Sequence, residues 1–302
     1  MIHNIFNPFL TKITKNNLKF YQFEFLLFFT FIKSNAVKFK KEFDTNRETW
    51  NKKVGVHASS DFYNLKDFIS GKSSLNKYEV STLGDVSGKS ILHLQCHFGQ
   101  DTLSLARMGA NCTGIDISDE GIKLAKELNK QLNLNADFIC CNVLETSDYI
   151  SEKFDIVFTS YGTIGWLPDL KPWAEMISER LKPGGFFYIV EFHPIGWMFD
   201  YRGSPPVMKY GYQQKEPIYE EYKGTYANTN SDIISKEYGW NHGLGEVITS
   251  LAEAGLHIEY LKEHDATPYN VFPELIENAK GLFELPNKLY PLIFEIKAVK
   301  KV

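Results

Sequence analysis

Apolar and polar positions alternate regularly from about residue 90 to the C-terminal end of the chain. Short apolar runs predict strands, and the segments between them carry apolar residues at the helical spacing of three and four. The predicted strands span residues 90–95, 112–116, 136–141, 154–159, 186–192, 256–262 and 292–299, and the predicted helices span residues 99–108, 118–132, 169–181 and 243–254. This alternation predicts an α/β fold in which helices cover both faces of a doubly wound, mainly parallel sheet.

Residues 1–40 do not follow this pattern. Eight of the 23 Phe residues lie before residue 37, and the apolar stretch at residues 20–32 is too short to span a membrane. Lysines before this stretch and small residues at 34–36 fit a secretory signal peptide. The alternatives are an irregular extension or an upstream start codon that adds sequence outside the domain. We predict that residues 41–302 form the domain and that residues 1–40 do not belong to it.

Composition and charge narrow the functional classes. With 43% apolar residues among 302, the chain can form a packed core, which excludes a collagen-like or wholly disordered protein. Residues 1–60 carry a net charge of +6 and residues 61–302 a net charge of −10, so we expect neither a nucleic-acid partner nor a membrane partner. The four cysteines lack disulfide or zinc spacing and predict buried thiols in a reducing, cytoplasmic compartment.

The loop after the first predicted strand carries the strongest chemical signal. Ligands of doubly wound sheets bind beyond the carboxyl ends of the strands, and here that end reads His-Leu-Gln-Cys-His-Phe-Gly-Gln-Asp-Thr from His93 to Thr102. Asp116 ends the next predicted strand, 17 residues after Gly99, where a carboxylate can accept hydrogen bonds from ribose hydroxyls. Because Gly99 is the only glycine in the loop, the sequence favours an adenosine cofactor over a dinucleotide.

Three segments taken together, residues 91–116, 154–167 and 181–194, resemble class I S-adenosylmethionine-dependent methyltransferases. The decapeptide from His93 to Thr102 resembles, more narrowly, a bacterial group that carries it in place of the commoner Asp-x-Gly-x-Gly-x-Gly loop. The resemblance extends from about residue 45 to the C-terminal end. It implies a seven-stranded Rossmann-like sheet whose last strand is inserted antiparallel, with S-adenosylmethionine as the cofactor.

The resemblance also implies a role for individual residues. Gly99 and the backbone of residues 95–98 would lie against the methionine portion and ribose of the cofactor, and Asp116 would bind the ribose hydroxyls. Asn142, with Val143 beside it, would contact the adenine amino group, and Ser160 and Tyr161 would flank the methyl group. The cofactor-binding residues expected in this way are His93, Gln95, Cys96, Phe98, Gly99, Asp116, Ile117, Asn142, Val143 and Ser160.

The loop departs from the family pattern at three positions. His93 stands where the family usually has an acidic residue, and Gln95 and His97 stand where it has its first two glycines. Loss of the acid removes a partner for the cofactor's amino group. Either Gln95 and its neighbours replace this partner, or cofactor binding is weak and the protein is a non-catalytic binder.

Catalysis of methyl transfer depends mainly on aligning the acceptor, the methyl group and the sulfur. A base is needed only when the acceptor arrives protonated, and His193, after the fifth predicted strand, is the predicted base with Tyr161 beside the methyl group. The alternative for His193 is a hydrogen bond to substrate or backbone. His93 and His97 lie on a strand and its turn, so we expect no metal site there.

Residues 195–240 form an insert after the fifth predicted strand, with ten aromatic residues and several glycines and prolines. We predict an irregular aromatic lid over the cleft, although a hairpin that forms a homodimer could use the same tyrosines. Trp50, Phe62, Tyr63 and Phe68 could likewise lie over a cofactor or only cover one edge of the sheet.

These features predict a methyltransferase that uses S-adenosylmethionine to methylate a small molecule under the lid. Methylation of RNA or protein is the alternative within enzymes, and a continuous basic stripe around the cleft would favour it. A non-catalytic cofactor-binding protein and a nicotinamide-dependent oxidoreductase are the remaining alternatives.

Overall fold

The computed structural model describes residues 38–203 and 205–302. Residues 41–302 form one compact unit. Residues 1–37, which include the predicted signal peptide or extension, lie outside the described residues. None of the helices in the described part of the chain combines the length and the apolar character needed to cross a bilayer.

Helices and strands alternate along the described chain, with three additional helices before the first strand. The helices are α1 (Lys40–Ala58), α2 (Leu65–Ile69), α3 (Lys77–Leu83), α4 (Gln100–Arg107), α5 (Asp119–Gln131), α6 (Thr146–Tyr149), α7 (Leu170–Arg180) and α8 (Leu244–Glu253). The strands are β1 (Ser90–Leu94), β2 (Asn111–Asp116), β3 (Ala136–Cys140), β4 (Phe154–Ser160), β5 (Leu181–Phe192), β6 (Phe199–Asp200), β7 (Val207–Met208), β8 (Gln214–Lys223), β9 (Ile234–Asn241), β10 (Leu256–His264), β11 (Ala266–Thr267), β12 (Ile276–Glu277), β13 (Phe283–Glu284) and β14 (Ile293–Lys300).

Seven strands form the central sheet, in the order β10-β14-β5-β4-β1-β2-β3. Strands β1 to β5 pair in parallel, whereas β14, the last strand of the chain, pairs antiparallel with both β5 and β10. The predicted α/β fold class and the inserted antiparallel strand are therefore confirmed. Because the chain proceeds from β1 to β3 on one side and resumes with β4 on the other, a crevice opens where the winding reverses, at the carboxyl ends of β1 and β4.

The sequence pattern explains why these elements form. Ile91, Leu92 and Leu94 of β1 are fully buried, as expected of a central strand covered on both faces. Helix α5 begins at a Ser118 cap, whose hydroxyl accepts a hydrogen bond from the Gly121 amide at 3.0 Å, and it buries Ile122 against the sheet. Such local signals set most element boundaries to within a few residues of the prediction, but β5 begins at Leu181, five residues before its predicted start, because Leu181 pairs with Phe154 ahead of a register shift.

The insert at residues 195–240 differs from the irregular segment that we predicted. It contains the hairpin of β8 and β9, whose register runs from Gln214 opposite Asn241 to Lys223 opposite Ile234. Strand β8 has a polar sequence because most of its side chains are exposed or only partly buried, so no alternating apolar signal marks it. Side chains of α1, about 190 residues earlier in the chain, also form hydrogen bonds with the backbone of β9.

Candidate active site

A cavity of about 1040 Å³ lies at the carboxyl ends of the parallel strands. The loops that follow β1, β2, β3, β4 and β5 form one wall, which we call the loop wall. Helix α1 and the β8–β9 hairpin form the opposite side, which we call the cover. The sheet topology thus places the cavity where ligands bind in folds of this kind.

The loop after β1 is tightly wound. Gln95 and His97 adopt φ values of 53° and 52°, although neither is a glycine, and Gly99 follows at 81°. A Cβ atom on Gly99 would lie 2.7 Å from the Phe138 ring and 3.0 Å from Ala125. Both the backbone conformation and the packing against Phe138 of β3 therefore require glycine at this position, whether or not a ligand approaches its backbone.

Asp116 connects this loop to the next one. Its Oδ2 accepts the His97 amide and its Oδ1 accepts the Ser118 amide, each at 2.8 Å. Burial raises the pKa of Asp116 to about 6, an increase that these amide hydrogen bonds oppose. Each carboxylate oxygen keeps acceptor capacity toward the cavity, because an ionised carboxylate has about four acceptor positions.

The His93 side chain does not take over the role of the acidic residue that the family usually has at this position. Its ring is buried, stacks on Phe158 with 4.8 Å between ring centroids, and places Nδ1 2.8 Å from the Thr102 hydroxyl. Burial lowers the pKa of His93 to about 3, so the ring is neutral near pH 7. Gln95 donates from Nε2 to the Thr163 carbonyl at 2.8 Å, and its buried Oε1 has no hydrogen-bond partner among the described residues.

The structure brings all ten predicted cofactor residues, and Tyr161, to the cavity wall. Asn142 uses its Oδ1 to accept the Leu144 amide at 3.0 Å, which leaves its Nδ2 to donate. Burial raises the pKa of the Cys96 thiol well above its usual value, so this cysteine is a packing residue rather than a nucleophile. No group of three metal-ligating side chains occurs among residues 38–203 and 205–302.

The loop after β4 is held by a buried carboxylate. Tyr161 adopts a φ of 41° and Gly162 a φ of 76°. Glu191 accepts the amides of Gly162, Thr163 and Ile164, with distances of 2.7 Å and 3.2 Å to the last two. Burial raises the pKa of Glu191, and these bonds oppose that increase. Glu191 therefore positions the Tyr161 loop.

His193 does not line the cavity. Its buried Nε2 lies 2.9 Å from Glu263 Oε1, and its Nδ1 accepts the Ile195 amide at 3.3 Å. Burial lowers the pKa of His193 while Glu263 opposes this decrease. Because both ring nitrogens are engaged outside the cavity, the structure does not bring the predicted base to Tyr161.

The cover contains functional candidates that our sequence reasoning missed. Asn46, Thr49, Lys53 and His57 lie on one face of α1, and all four are buried. Asn46 exchanges two hydrogen bonds of 2.8 Å with the Tyr238 backbone, and Lys53 forms an ion pair with Glu237. The sequence signal that could have identified them is the repeat of these polar residues at spacings of three and four. In an ordinary amphipathic helix, residues at this spacing on the buried face are apolar.

Aromatic rings enclose the cover side of the cavity. Lys53 Nζ lies 4.8 Å from the Trp50 ring and within 5.9 Å of Trp166. His57 Nδ1 lies 2.9 Å from His97 Nε2, and burial lowers the pKa of both histidines, so the two rings are neutral and one donates to the other. Seven of the ten aromatic residues of the insert line the cavity, namely Trp197, Phe199, Tyr201, Tyr210, Tyr222, Tyr226 and Trp240.

Comparison with known proteins relates this geometry to a family. Residues 91–185, from β1 into β5, match the family model described as a methyltransferase domain. An uncharacterized methyltransferase of Synechocystis sp. is 29% identical over 133 residues, which cover 43% of this chain and 60% of that protein. A ubiquinone biosynthesis O-methyltransferase of Erwinia tasmaniensis is 27% identical over 124 residues, which cover 40% and 51%. The chain thus spans about half the length of the curated relatives it matches.

Solved structures extend the similarity to about three quarters or more of the chain. A putative S-adenosylmethionine dependent methyltransferase from Listeria monocytogenes aligns over 74% of this chain and 96% of its own, with a TM-score of 0.52 and 18% identity. The protein has the methyltransferase fold. An S-adenosylmethionine-dependent methyltransferase from Clostridium acetobutylicum shares this methyltransferase fold. It aligns over 82% of this chain and 95% of its own, with a TM-score of 0.51 and 15% identity. These similarities agree with the predicted class and cofactor, while the narrower decapeptide group stays a prediction.

Proposed function

We propose that this chain is an S-adenosylmethionine-dependent methyltransferase that acts on a small-molecule acceptor. The observation that carries the proposal is the cavity at the reversal of the winding, where the Asp116 carboxylate and the loop before Gly99 face the same space. These hydrogen-bonding groups suit an adenosine that carries an amino-acid tail. Asp116 would accept the ribose hydroxyls, Asn142 Nδ2 would contact the adenine, and the loop after β1 would hold the tail.

Bound S-adenosylmethionine would supply a methyl group activated by a positively charged sulfur. The chain's own contribution is alignment and exclusion of water, which together account for much of the rate acceleration in such displacements. Glu191 fixes the loop that carries Tyr161, our proposed neighbour of the methyl group. The rings of the cover help to exclude water, and three of them, Trp50, Tyr222 and Tyr226, lie against the Lys53 ammonium.

The charges around the cavity favour a small acceptor over RNA. Among the described residues, four basic side chains line the cavity, and each has a carboxylate partner. Seven acidic residues share the same lining, namely Asp67, Asp101, Asp116, Glu191, Asp200, Glu220 and Glu237. A phosphate backbone needs a continuous basic surface, which this lining does not offer. The name of the Erwinia relative, an O-methyltransferase, adds support for a hydroxyl acceptor.

An acceptor that arrives protonated needs a group to receive its proton. His193 remains a hypothesis only if its pairing with Glu263 rearranges, since it lies outside the cavity. The linked His57 and His97 rings do not supply this group, because burial lowers the pKa of both and makes them poor proton acceptors near pH 7.

Calorimetry with S-adenosylmethionine and S-adenosylhomocysteine tests the cofactor. Transfer of a labelled methyl group to the small-molecule and macromolecular fractions of a cell extract then tests the acceptor. We expect micromolar binding of both nucleosides and label in the small-molecule fraction. Absence of binding overturns the proposal, label in RNA or protein favours the alternative enzymes, and binding without transfer favours a non-catalytic binder.

A further inference from the structure

A further carboxylate of the cavity lining, Asp101, lies beside the loop wall. Asp101 lies in the first turn of α4, directly after the loop that follows β1, and it lines the cavity. Ser74 donates to its Oδ1 at 2.6 Å and Ser160 donates to its Oδ2 at 3.3 Å. The carboxylate is therefore fixed between Ser74, which precedes α3, and Ser160, the last residue of β4, next to the Tyr161 loop.

Asp101 has no counter-charge in the described part of the chain. The four basic residues of the cavity lining pair with other carboxylates, and none of the ion pairs of the described residues includes Asp101. Burial raises the pKa of Asp101, and burial together with the charge of Asp101 raises the pKa of a second acid, Glu79. A partly buried carboxylate without a cation is costly, so this position suits a ligand that brings a positive charge.

The loop wall also holds an acceptor without a hydrogen-bond partner in the described chain. Gln95 Oε1 is buried without a hydrogen-bond partner among the described residues, while its Nε2 is fixed on the Thr163 carbonyl. Gln95 and Asp101 lie at the two ends of the loop after β1, and their partners Thr163 and Ser160 lie just after β4 and at its last residue. Because both residues line the same cavity, a ligand there that donates hydrogen bonds, such as an ammonium group, has two acceptors available.

We propose that Asp101, assisted by Gln95 Oε1, binds the ammonium group of the cofactor's amino-acid portion, in place of the acid that His93 replaces at the end of β1. This inference rests on the proposed function. His93 cannot fill the role itself, because its buried ring is engaged with Thr102 and Phe158. The acceptor for the ammonium group has thus moved from the end of the strand to the first turn of the helix that follows it.

Two ligands that differ in this group provide the test. S-adenosylhomocysteine carries the ammonium group, whereas 5′-methylthioadenosine has the same nucleoside and sulfur without the amino-acid tail. Calorimetry on the full chain would compare both ligands for wild type and Asp101→Asn. We expect S-adenosylhomocysteine to bind about 10- to 100-fold more weakly to the variant, the range for one charged hydrogen bond. The affinity for 5′-methylthioadenosine should change by less than about threefold.

Asp67→Asn is the matched control, because Asp67 lines the same cavity but has Lys72 as a partner at 3.7 Å. Its affinities should match those of wild type. If Asp101→Asn does not fold, Asp101→Ser retains a small polar side chain and takes its place. An unchanged affinity for S-adenosylhomocysteine, or an equal loss for both ligands, overturns the role of Asp101. Failure of wild type to bind S-adenosylhomocysteine overturns the proposed function instead.

Discussion

The loop wall and the cover of the cavity are built by different means. In the loop wall, carboxylates accept backbone amides of loops that follow neighbouring strands, as Asp116 does for His97 and Ser118, 19 and 2 residues away in the chain. In the cover, side chains of α1 pair with a hairpin nearly 190 residues away, as Lys53 does with Glu237. A site can therefore combine one side that is held by bonds between neighbouring strand ends with one that is held by contacts between segments distant in the sequence. The two sides should respond differently to substitution.

Removal of the Asp116 carboxylate should have the largest effect on the loop wall. Asp116→Ala removes the acceptor for two loop amides and for the ribose hydroxyls, so S-adenosylhomocysteine should bind at least about 100-fold more weakly by calorimetry. Glu120→Ala, in the exposed first turn of α5, is the control and should bind normally. Retention of wild-type affinity by Asp116→Ala would contradict a ribose contact at this carboxylate.

Breaking the buried ion pair should test the cover. Lys53→Met leaves Glu237 without its cation, and loss of one partner of a buried pair costs about 3 kcal/mol in the free energy of unfolding. Urea unfolding measures this change. Lys236→Met is the control, because the Lys236–Glu221 pair is about half-exposed and should contribute less than about 1 kcal/mol. Equal effects of the two substitutions would show that burial of the Lys53 pair is unimportant.

Gly99→Ala should separate backbone strain from packing in the loop wall. The new Cβ would clash with the Phe138 ring at 2.7 Å and occupy a φ of 81°, so we expect a loss of about 2 to 3 kcal/mol in the free energy of unfolding. Gly88→Ala has a similar φ of 71° but no atom within 4 Å, and it should lose only about 1 kcal/mol. Thermal or urea unfolding of both variants would give the packing contribution as their difference.

Glu79 should produce the smallest effect, visible as a pH dependence. Burial raises its pKa to about 7 in the folded protein, so the folded state binds more protons than the unfolded state between about pH 4.5 and pH 7. As the pH rises from about 4.5 to about 7, the free energy of unfolding of wild type should therefore fall relative to that of Glu79→Gln.

We expect Glu79→Gln to gain about 2 kcal/mol over wild type between pH 5 and pH 8, measured by urea unfolding. Above pH 8 the difference should be constant. Glu48→Gln, an exposed substitution on α1, serves as the control and should show no such gain. A gain that increases toward acidic pH would contradict the direction of the Glu79 pKa shift.

Local patterns predicted most of the sheet and much of the loop wall. The strand and helix spacing predicted the sheet, and the resemblance to methyltransferases, carried in part by the loop after β1 and Asp116, predicted eleven residues that line one cavity. The cover was not predictable in the same way, because strand β8 is polar and its hairpin is stabilised by α1 residues distant in sequence. His193 was assigned from its place at the end of β5, but the direction of its side chain depends on Glu263 in β10. Side-chain direction at a strand end is a tertiary property.

The contacts between α1 and the hairpin also determine how a second molecule could add to it. Asn46 and Thr49 occupy the backbone groups of Tyr238 and Lys236 along one edge of β9, while β8 occupies the other edge. A polypeptide that joins this hairpin by β-augmentation therefore has to pair with β8. Self-association through the insert, if it proceeds by strand addition, is restricted to that single edge.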